Sequence, residues 1–154
     1  MNYLIKHFKD LDTLELYSLL QLRIEVFVLE QNCPYQDLDG KDLECFHVMA
    51  YDNNILIGCT RLVPPGVSYD GYASIGRVVS HPDYRLMGVG RMIMAESIRQ
   101  SELLFPGYNI KISAQCYLIP FYESFYFEII GAEYLEDNIP HQAMIRHVIQ
   151  FGQN

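Results

Sequence analysis

The sequence predicts an α/β sandwich, a mixed central sheet of about seven strands flanked by helices. Three observations predict it. Strand-like and helix-like apolar periodicities alternate in the order β-α-β-β-β-α-β-α-β-β, the pattern of a sheet covered by helices rather than of separate all-α and all-β units. Half of the residues are apolar and 19% are charged, the balance of a globular domain with a full core. The 154 residues carry no repeat, low-complexity tract or long linker, so one domain over 1–154 is expected.

Each element has a local reason. Residues 2–8 alternate and read as a first strand. Asp12 and Glu15 stand at capping-box spacing, with Asp in place of Ser or Thr. They open a helix whose apolar positions Leu16, Leu19, Leu20, Ile24, Phe27 and Val28 recur at helical spacing to about Glu30. A polar loop with Pro and Gly follows over 32–41. Residues 46–51 and 55–63 are strands flanking a hairpin turn at Asp52-Asn53-Asn54, and Pro64-Pro65-Gly66 ends the pair. Residues 73–79 make the fourth strand. A helix runs over 88–103 until Pro106-Gly107 breaks it, and 110–115 is the fifth strand. Residues 120–127 form a short helix with Pro near its first turn, and 128–135 and 142–148 are the last strands.

Composition excludes some classes of function. The formal net charge is −8 and no basic patch interrupts it, which argues against a nucleic-acid partner. The same field repels anions at long range and favours a cationic amine. No apolar run is long enough to span a bilayer, and residues 1–11 lack the apolar core of a secretory signal, so no membrane partner is expected. Cys33, Cys45, Cys59 and Cys116 show no CxxC spacing; they read as reduced, structural thiols of a cytoplasmic protein, with no metal.

The most informative segment is Arg85-Leu86-Met87-Gly88-Val89-Gly90. It joins the fourth strand to a helix N-terminus, where backbone N–H groups lack partners and the helix dipole adds partial positive charge. Gly88 and Gly90 let a phosphate approach the backbone. The segment reads as a pyrophosphate cradle, and it is neither a GxxxxGK[ST] loop nor a GxGxxG turn.

Its pattern, [QR]xxGx[GA], resembles the acetyl-CoA signature of the GNAT-type N-acetyltransferases. The preceding Val78-Val79-Ser80-His81-Pro82-Asp83-Tyr84 resembles that family's exit from strand four. Downstream, Pro120-Phe121-Tyr122-Glu123-Ser124-Phe125-Tyr126-Phe127 resembles its second motif, usually FYxxxGF. Residues 22–40 (LRIEVFVLEQNCPYQDLDG), 61–66 (RLVPPG) and 136–141 (EDNIPH) resemble one subgroup, the ElaA-like acetyltransferases. The resemblance covers residues 15–147 in the expected order. It implies the GNAT fold, in which strands four and five splay apart and the pantetheine arm of acetyl-CoA enters the gap to pair with strand-four backbone. It also implies transfer of an acetyl group to a primary amine of a small molecule or peptide, and a homodimer by edge-strand pairing is compatible with it.

Amide formation from a thioester needs a neutral amine, a stabilised oxyanion and a thiolate able to leave. By resemblance, the backbone of Val78, Val79 and Ser80 faces the acetyl-pantetheine and serves the oxyanion. Also by resemblance, Tyr122 is the general acid: a phenol with a pKa of about 10 is protonated at neutral pH. Gln115 stands where the family often has an Asn that hydrogen-bonds the pantetheine; its other reading is an amide closing the edge of strand five. Arg85, Leu86, Met87, Gly88, Val89, Gly90 and Arg91 make up the cofactor loop, with Arg forks suited to phosphate oxygens. The base is not legible: Ile110 stands where some relatives carry Glu, and His81, His47, His141, Glu30 and water remain candidates. On the acceptor side Arg23, Glu30, Arg77 and His141 stand out beside Asp37 and Arg61. Arg23 and Arg77 lie in apolar runs and need partners if buried.

Four positions depart from the family pattern. Tyr126 replaces a Gly that commonly allows a left-handed helix end, so it either bears strain of about 1–2 kcal/mol or ends the helix differently. Leu86 and Met87 replace small or polar residues where only backbone N–H groups are needed. Ser80 replaces an apolar residue, and Gln115 replaces Asn. These departures, with the missing base, keep open a rival reading as a non-catalytic module that senses acyl-CoA.

Overall fold

The computed structural model describes residues 1–149; the last five residues of the expected domain lie outside it. Seven strands and three α-helices follow the predicted order: β1 (Asn2–His7), α1 (Thr13–Arg23), β2 (Phe46–Asp52), β3 (Ile55–Val63), β4 (Ser74–Ser80), α2 (Val89–Leu104), β5 (Ile110–Gln115), α3 (Ile119–Glu123), β6 (Glu128–Glu136) and β7 (Ile139–Arg146). The capping box of α1 forms as expected, with Glu15 N donating to Asp12 Oδ1 at 2.8 Å and Asp12 N to Glu15 Oε2 at 2.9 Å. Beyond Arg23 the helix widens into a π-helical stretch, Ile24–Glu30, in place of the regular helix expected there. Asn53 and Asn54 both adopt positive φ, which is what a two-residue hairpin turn demands.

The strands pair as β1-β2-β3-β4 and as β5-β7-β6. The two sheets meet only where β4 and β5 begin, at a parallel bridge between Ala73 and Ile110. There Ala73 N donates to Asn109 O at 3.0 Å and Lys111 N to Ala73 O at 2.9 Å. Beyond that bridge, among the described residues, β4 keeps β3 on one side and no strand on the other. The expected mixed sheet, open between strands four and five, is thus the observed one.

Helices cover both faces of the first sheet. Val48, Met49 and Ala50 on β2 are all fully buried because successive side chains face opposite layers. Val48 and Ala50 join Val89, Ile93 and Met94 of α2, whereas Met49 joins Leu19 and Leu22 of α1. Gly58 sets the close approach of α2, since a Cβ there would lie 3.1 Å from both Val79 O and Val89 Cγ1.

Most boundaries fall within two residues of expectation, and two differ by three or more. β7 starts at Ile139, three residues before the expected 142, although Pro140 has no N–H to give. Its β5 partner begins only at His141, so Pro140 is paired on the β6 side alone, a position a strand-start proline tolerates. The short helix ends earlier than expected, in a Schellman motif: Tyr126 N donates to Glu123 O at 2.9 Å and Phe127 N to Tyr122 O at 3.3 Å. Tyr126 takes the left-handed position with φ 66°. Its side chain is 80% exposed, so it loses little on removal. Tyr126→Gly is therefore expected to stabilise the protein by about 1 kcal/mol, a rise in Tm of roughly 2–4 °C in a thermal melt. An unchanged or lower Tm would show that the left-handed residue carries no strain.

Candidate active site

The cleft opened by the splay has a volume of about 810 Å³, in the range that holds a cofactor-sized ligand. Its opening has a local cause in β4. The β3–β4 register shifts between Cys59 and Arg61, and Arg77 sits at this bulge with φ 49°. A left-handed non-glycine residue inside a strand costs about 1–3 kcal/mol and bends the strand. The strain is held by charge. Arg77 Nε lies 2.8 Å from Asp37 Oδ1, and Nη2 donates to Asp37 O at 2.8 Å.

The expected cofactor residues fall into three groups. Val78, Val79 and Ser80 line the cleft on β4, and Gln115 faces them from β5, its Nε2 donating to Gln31 Oε1 at 3.4 Å. The loop 85–91 forms a cap: Pro82–Met87 is a 3-10 helix, Gly88 takes φ 75°, and α2 starts at Val89. Gly88 N closes the 3-10 helix onto Arg85 O at 3.3 Å, and the first N–H at the start of α2 to close a helical bond is that of Met92, to Gly88 O at 3.1 Å. The N–H groups of Val89, Gly90 and Arg91 are therefore the free donors of the helix end. Gly90 and Arg85 line the cleft. Leu86 and Met87 are exposed and Val89 is buried, so these three offer backbone only.

The side chain of Arg91 turns away from the cleft. Its Nη1 donates to Ser124 Oγ at 2.9 Å and its guanidinium lies 4.8 Å over Phe125, tying α2 to α3. Arg85 meets Glu30 Oε1 at 2.7 Å, with both side chains about 40% exposed. An exposed pair contributes only about 0–1 kcal/mol, so a phosphate can take Arg85 at little cost.

Tyr122 lines the same cleft from α3 and is 7% exposed. Burial pushes its phenol up to about 12, so it holds its proton at neutral pH. The ring packs edge-on against Phe121 and Phe127 at 5.2 and 5.9 Å.

On the acceptor side the structure separates the four expected residues. Glu30, Arg77 and His141 line the cleft. Arg23 does not and is corrected to a structural position. It is 1% exposed and donates to Asp37 Oδ2 at 2.9 Å and to Asp42 Oδ1 and Oδ2 at 2.8 and 3.2 Å. Arg61 adds bonds to Asp39 at 2.8 and 2.9 Å. Burial alone would raise Asp39, but the bonds from Arg61 hold it down at about 2. Burial likewise opposes ionisation of Asp42, and Arg23 overrides it. Burial pushes His47 down to about 4, too weak a base to take a proton from an ammonium ion, and the residue does not line the cleft. Three guanidiniums thus face three carboxylates and fix the 31–45 loop over the acceptor end. Glu136, Ser113 and Tyr134, which sequence reasoning passed over, meet His141 at the far wall. The signal available for them was the strand alternation leading into Asp137-Asn138, a hairpin turn with both φ positive.

The comparisons agree with this geometry. Residues 15–148 match the model of the acetyltransferase (GNAT) domain, and the chain belongs to that family. Membership sets the activity class as acyl transfer from an acyl-CoA. Protein ElaA of Escherichia coli strain K12 is 38% identical over 146 residues, 94% of this chain and 95% of that protein. A crystal structure of an acyl-CoA N-acyltransferase from Pseudomonas aeruginosa superimposes with a TM-score of 0.89 at 42% identity, over 95% of this chain and 99% of the other. The crystal structure of Escherichia coli ElaA gives 0.88 at 35% identity with the same coverage. Among the described residues no helix is long and apolar enough to cross a membrane, and no cluster of His, Cys, Asp or Glu could hold a metal ion.

Proposed function

We propose that the protein is an acetyl-CoA-dependent N-acetyltransferase that acetylates a primary amine, of a small molecule or a peptide, by direct attack in a ternary complex. The observation that carries this reading is the single cleft that joins a splayed strand edge, a free helix N-terminus and a protonated tyrosine. The site fits the cofactor: Gly90 has nothing within 4 Å of where a Cβ would stand.

The N–H groups of Val89, Gly90 and Arg91, with the Arg85 side chain, would hold the pyrophosphate. Val78, Val79, Ser80 and Gln115 would hold the pantetheine. The cofactor supplies an activated acetyl thioester, and Tyr122 gives the departing sulfur a proton. Glu30, Arg77 and His141 belong to the acceptor end. A cysteine acyl-enzyme is disfavoured: Cys33, which lines the cleft, donates to the Asp137 carbonyl and not to a base, and Cys116, next to Gln115, is pushed up by partial burial and by the Glu133 carboxylate. The reading assigns the protein, one domain throughout, to the cytoplasm, in keeping with four free cysteines. Pairing of two copies would use β1 or β6, the sheet edges that do not face the cleft.

A thermal shift with acetyl-CoA, against ATP as control, tests the cofactor. A ligand at one hundred times its Kd adds about 2.7 kcal/mol, or roughly 5–11 °C. Gly90→Asp should abolish the shift. Its carboxylate would sit at the second helical position, where it suits the helix dipole, so the variant's own Tm should hold or rise slightly. An equal shift with ATP, or a full acetyl-CoA shift in Gly90→Asp, would remove the assignment. Release of CoA thiol with a panel of amines then separates an enzyme from a module that only binds acyl-CoA.

A further inference from the structure

At the far wall of the cleft, the second sheet brings together Ser113 of β5, Tyr134 and Glu136 of β6, and His141 of β7. His141 is buried and stacks on Tyr134, with ring centroids 6.1 Å apart. Its Nδ1 lies 2.7 Å from Ile139 O. A carbonyl oxygen only accepts, so Nδ1 carries the proton of the neutral ring and Nε2 carries the lone pair.

That Nε2 stands 3.4 Å from Glu136 Oε2. The carboxylate is also an acceptor, and its position is set by a relay. Ser113 Oγ donates to Glu136 Oε2 at 2.9 Å. Having spent its one proton there, Ser113 accepts from the Tyr134 hydroxyl, which is in hydrogen-bond contact with it. Two acceptors therefore face one another across 3.4 Å on a cavity wall, with neither able to donate to the other. An ammonium group, with three donors, satisfies both at once.

Resting on the acetyl-transfer reading, we infer that His141 Nε2 and Glu136 Oε2 bind the acceptor as its ammonium ion and that His141 is the general base. His141 takes one proton from R–NH3+, and Glu136 offsets the charge of the imidazolium. The neutral nitrogen forms its bond to the acetyl carbon as the C–S bond breaks, and Tyr122 gives its proton to the departing sulfur. The second proton lost by the nitrogen restores the Tyr122 phenol, and the imidazolium returns its proton to solvent. The sum is amine cation plus acetyl thioester giving amide, thiol and one proton. The acceptor class is accordingly a primary alkylamine that arrives charged.

The titratable groups facing His141 are Glu136 and Tyr134 across the β6–β7 pair, with Tyr69 beside both; Gln115, opposite on β5, carries no charge. The test compares wild type, His141→Gln and Glu136→Gln by CoA release from pH 6 to 10.5, using each primary alkylamine that the wild type acetylates. At pH 7, His141→Gln should lose about 10²-fold or more in kcat with the acetyl-CoA thermal shift retained. The deficit should shrink as the pH nears the amine's own pKa of about 10, where no base is needed. Glu136→Gln should raise the amine KM about tenfold or more and should leave the KM for acetyl-CoA unchanged. A His141→Gln loss under about threefold, or one that persists undiminished at pH 10, overturns the base and leaves the acetyltransferase reading standing. A wild type that binds acetyl-CoA yet acetylates no alkylamine overturns both.

Discussion

Tyr122→Phe is expected to lower kcat by about 10²–10⁴-fold with any amine the wild type acetylates, while the acetyl-CoA thermal shift and the Tm stay close to wild type. The packing argument comes first. The ring is held edge-on by Phe121 and Phe127, contacts that phenylalanine keeps. The helix end is held through the carbonyl of Tyr122, which accepts from both Phe125 N and Phe127 N, and the substitution does not touch it. Only the hydroxyl is lost. The chemical argument turns on matching acidities. Burial raises the phenol to about 12, above a free thiol at about 8.5, which taken alone would make it a poor acid for a thiolate. The same burial raises thiols in this protein, taking Cys45 to about 12. A thiolate leaving beside the buried Tyr122 ring, partly shielded from water, is made more basic in the same sense, which narrows the mismatch between donor and acceptor. Steady-state kinetics would decide it: a kcat within about threefold of wild type would mean that Tyr122 only packs.

Local chemistry explains what was legible in the sequence. The capping box at Asp12 and Glu15, the Asn53-Asn54 turn and the glycine-bearing loop before α2 each rest on side chains close in sequence. The cofactor half of the site inherits that legibility, because it is built from one loop, one strand end and one short helix. The acceptor half is built from pairings far apart in the chain. Arg23 reads the same from sequence whether it meets a substrate carboxylate or Asp42, nineteen residues on. His141 and Glu136 are only five residues apart, but Ser113, which orients the carboxylate, lies 23 residues before Glu136 and joins them only when β5 folds onto β7. The π-helical stretch and the Arg77 bulge are likewise backbone choices made by packing, and residue spacing does not encode them.

Arg23→Met is expected to destabilise the fold by about 3–5 kcal/mol, because it leaves the buried Asp37 and Asp42 with one cation fewer, Asp37 keeping Arg77 and Asp42 only the longer contact to Arg61. The side chain is 1% exposed and grips Asp37 and Asp42, themselves almost fully buried. For a chain of this size the loss should appear as a fall in Tm of roughly 6–20 °C. Arg23→Lys keeps the charge without the planar fork that meets Asp42 through two oxygens, so it should fall between. The loss also has a sign in pH. Arg23, against burial, holds Asp42 below its ordinary value when folded. That stabilisation is present above the unfolded pKa of about 4 and disappears as pH falls through the lower folded value. The gap between wild type and Arg23→Met should therefore be widest at pH 7 and narrow towards pH 3, where Asp42 in the variant is protonated. An equal gap at both pH values would mean that the arginine acts by filling space. The effect should reach the cleft, since Asp37 also holds the strained Arg77 of β4, and the same loop carries Tyr35, Gln36 and Asp39 into the cavity wall. Loss of Arg23 frees the acceptor side and leaves the helix end at Gly90 untouched, so the amine KM should rise more than the KM for acetyl-CoA.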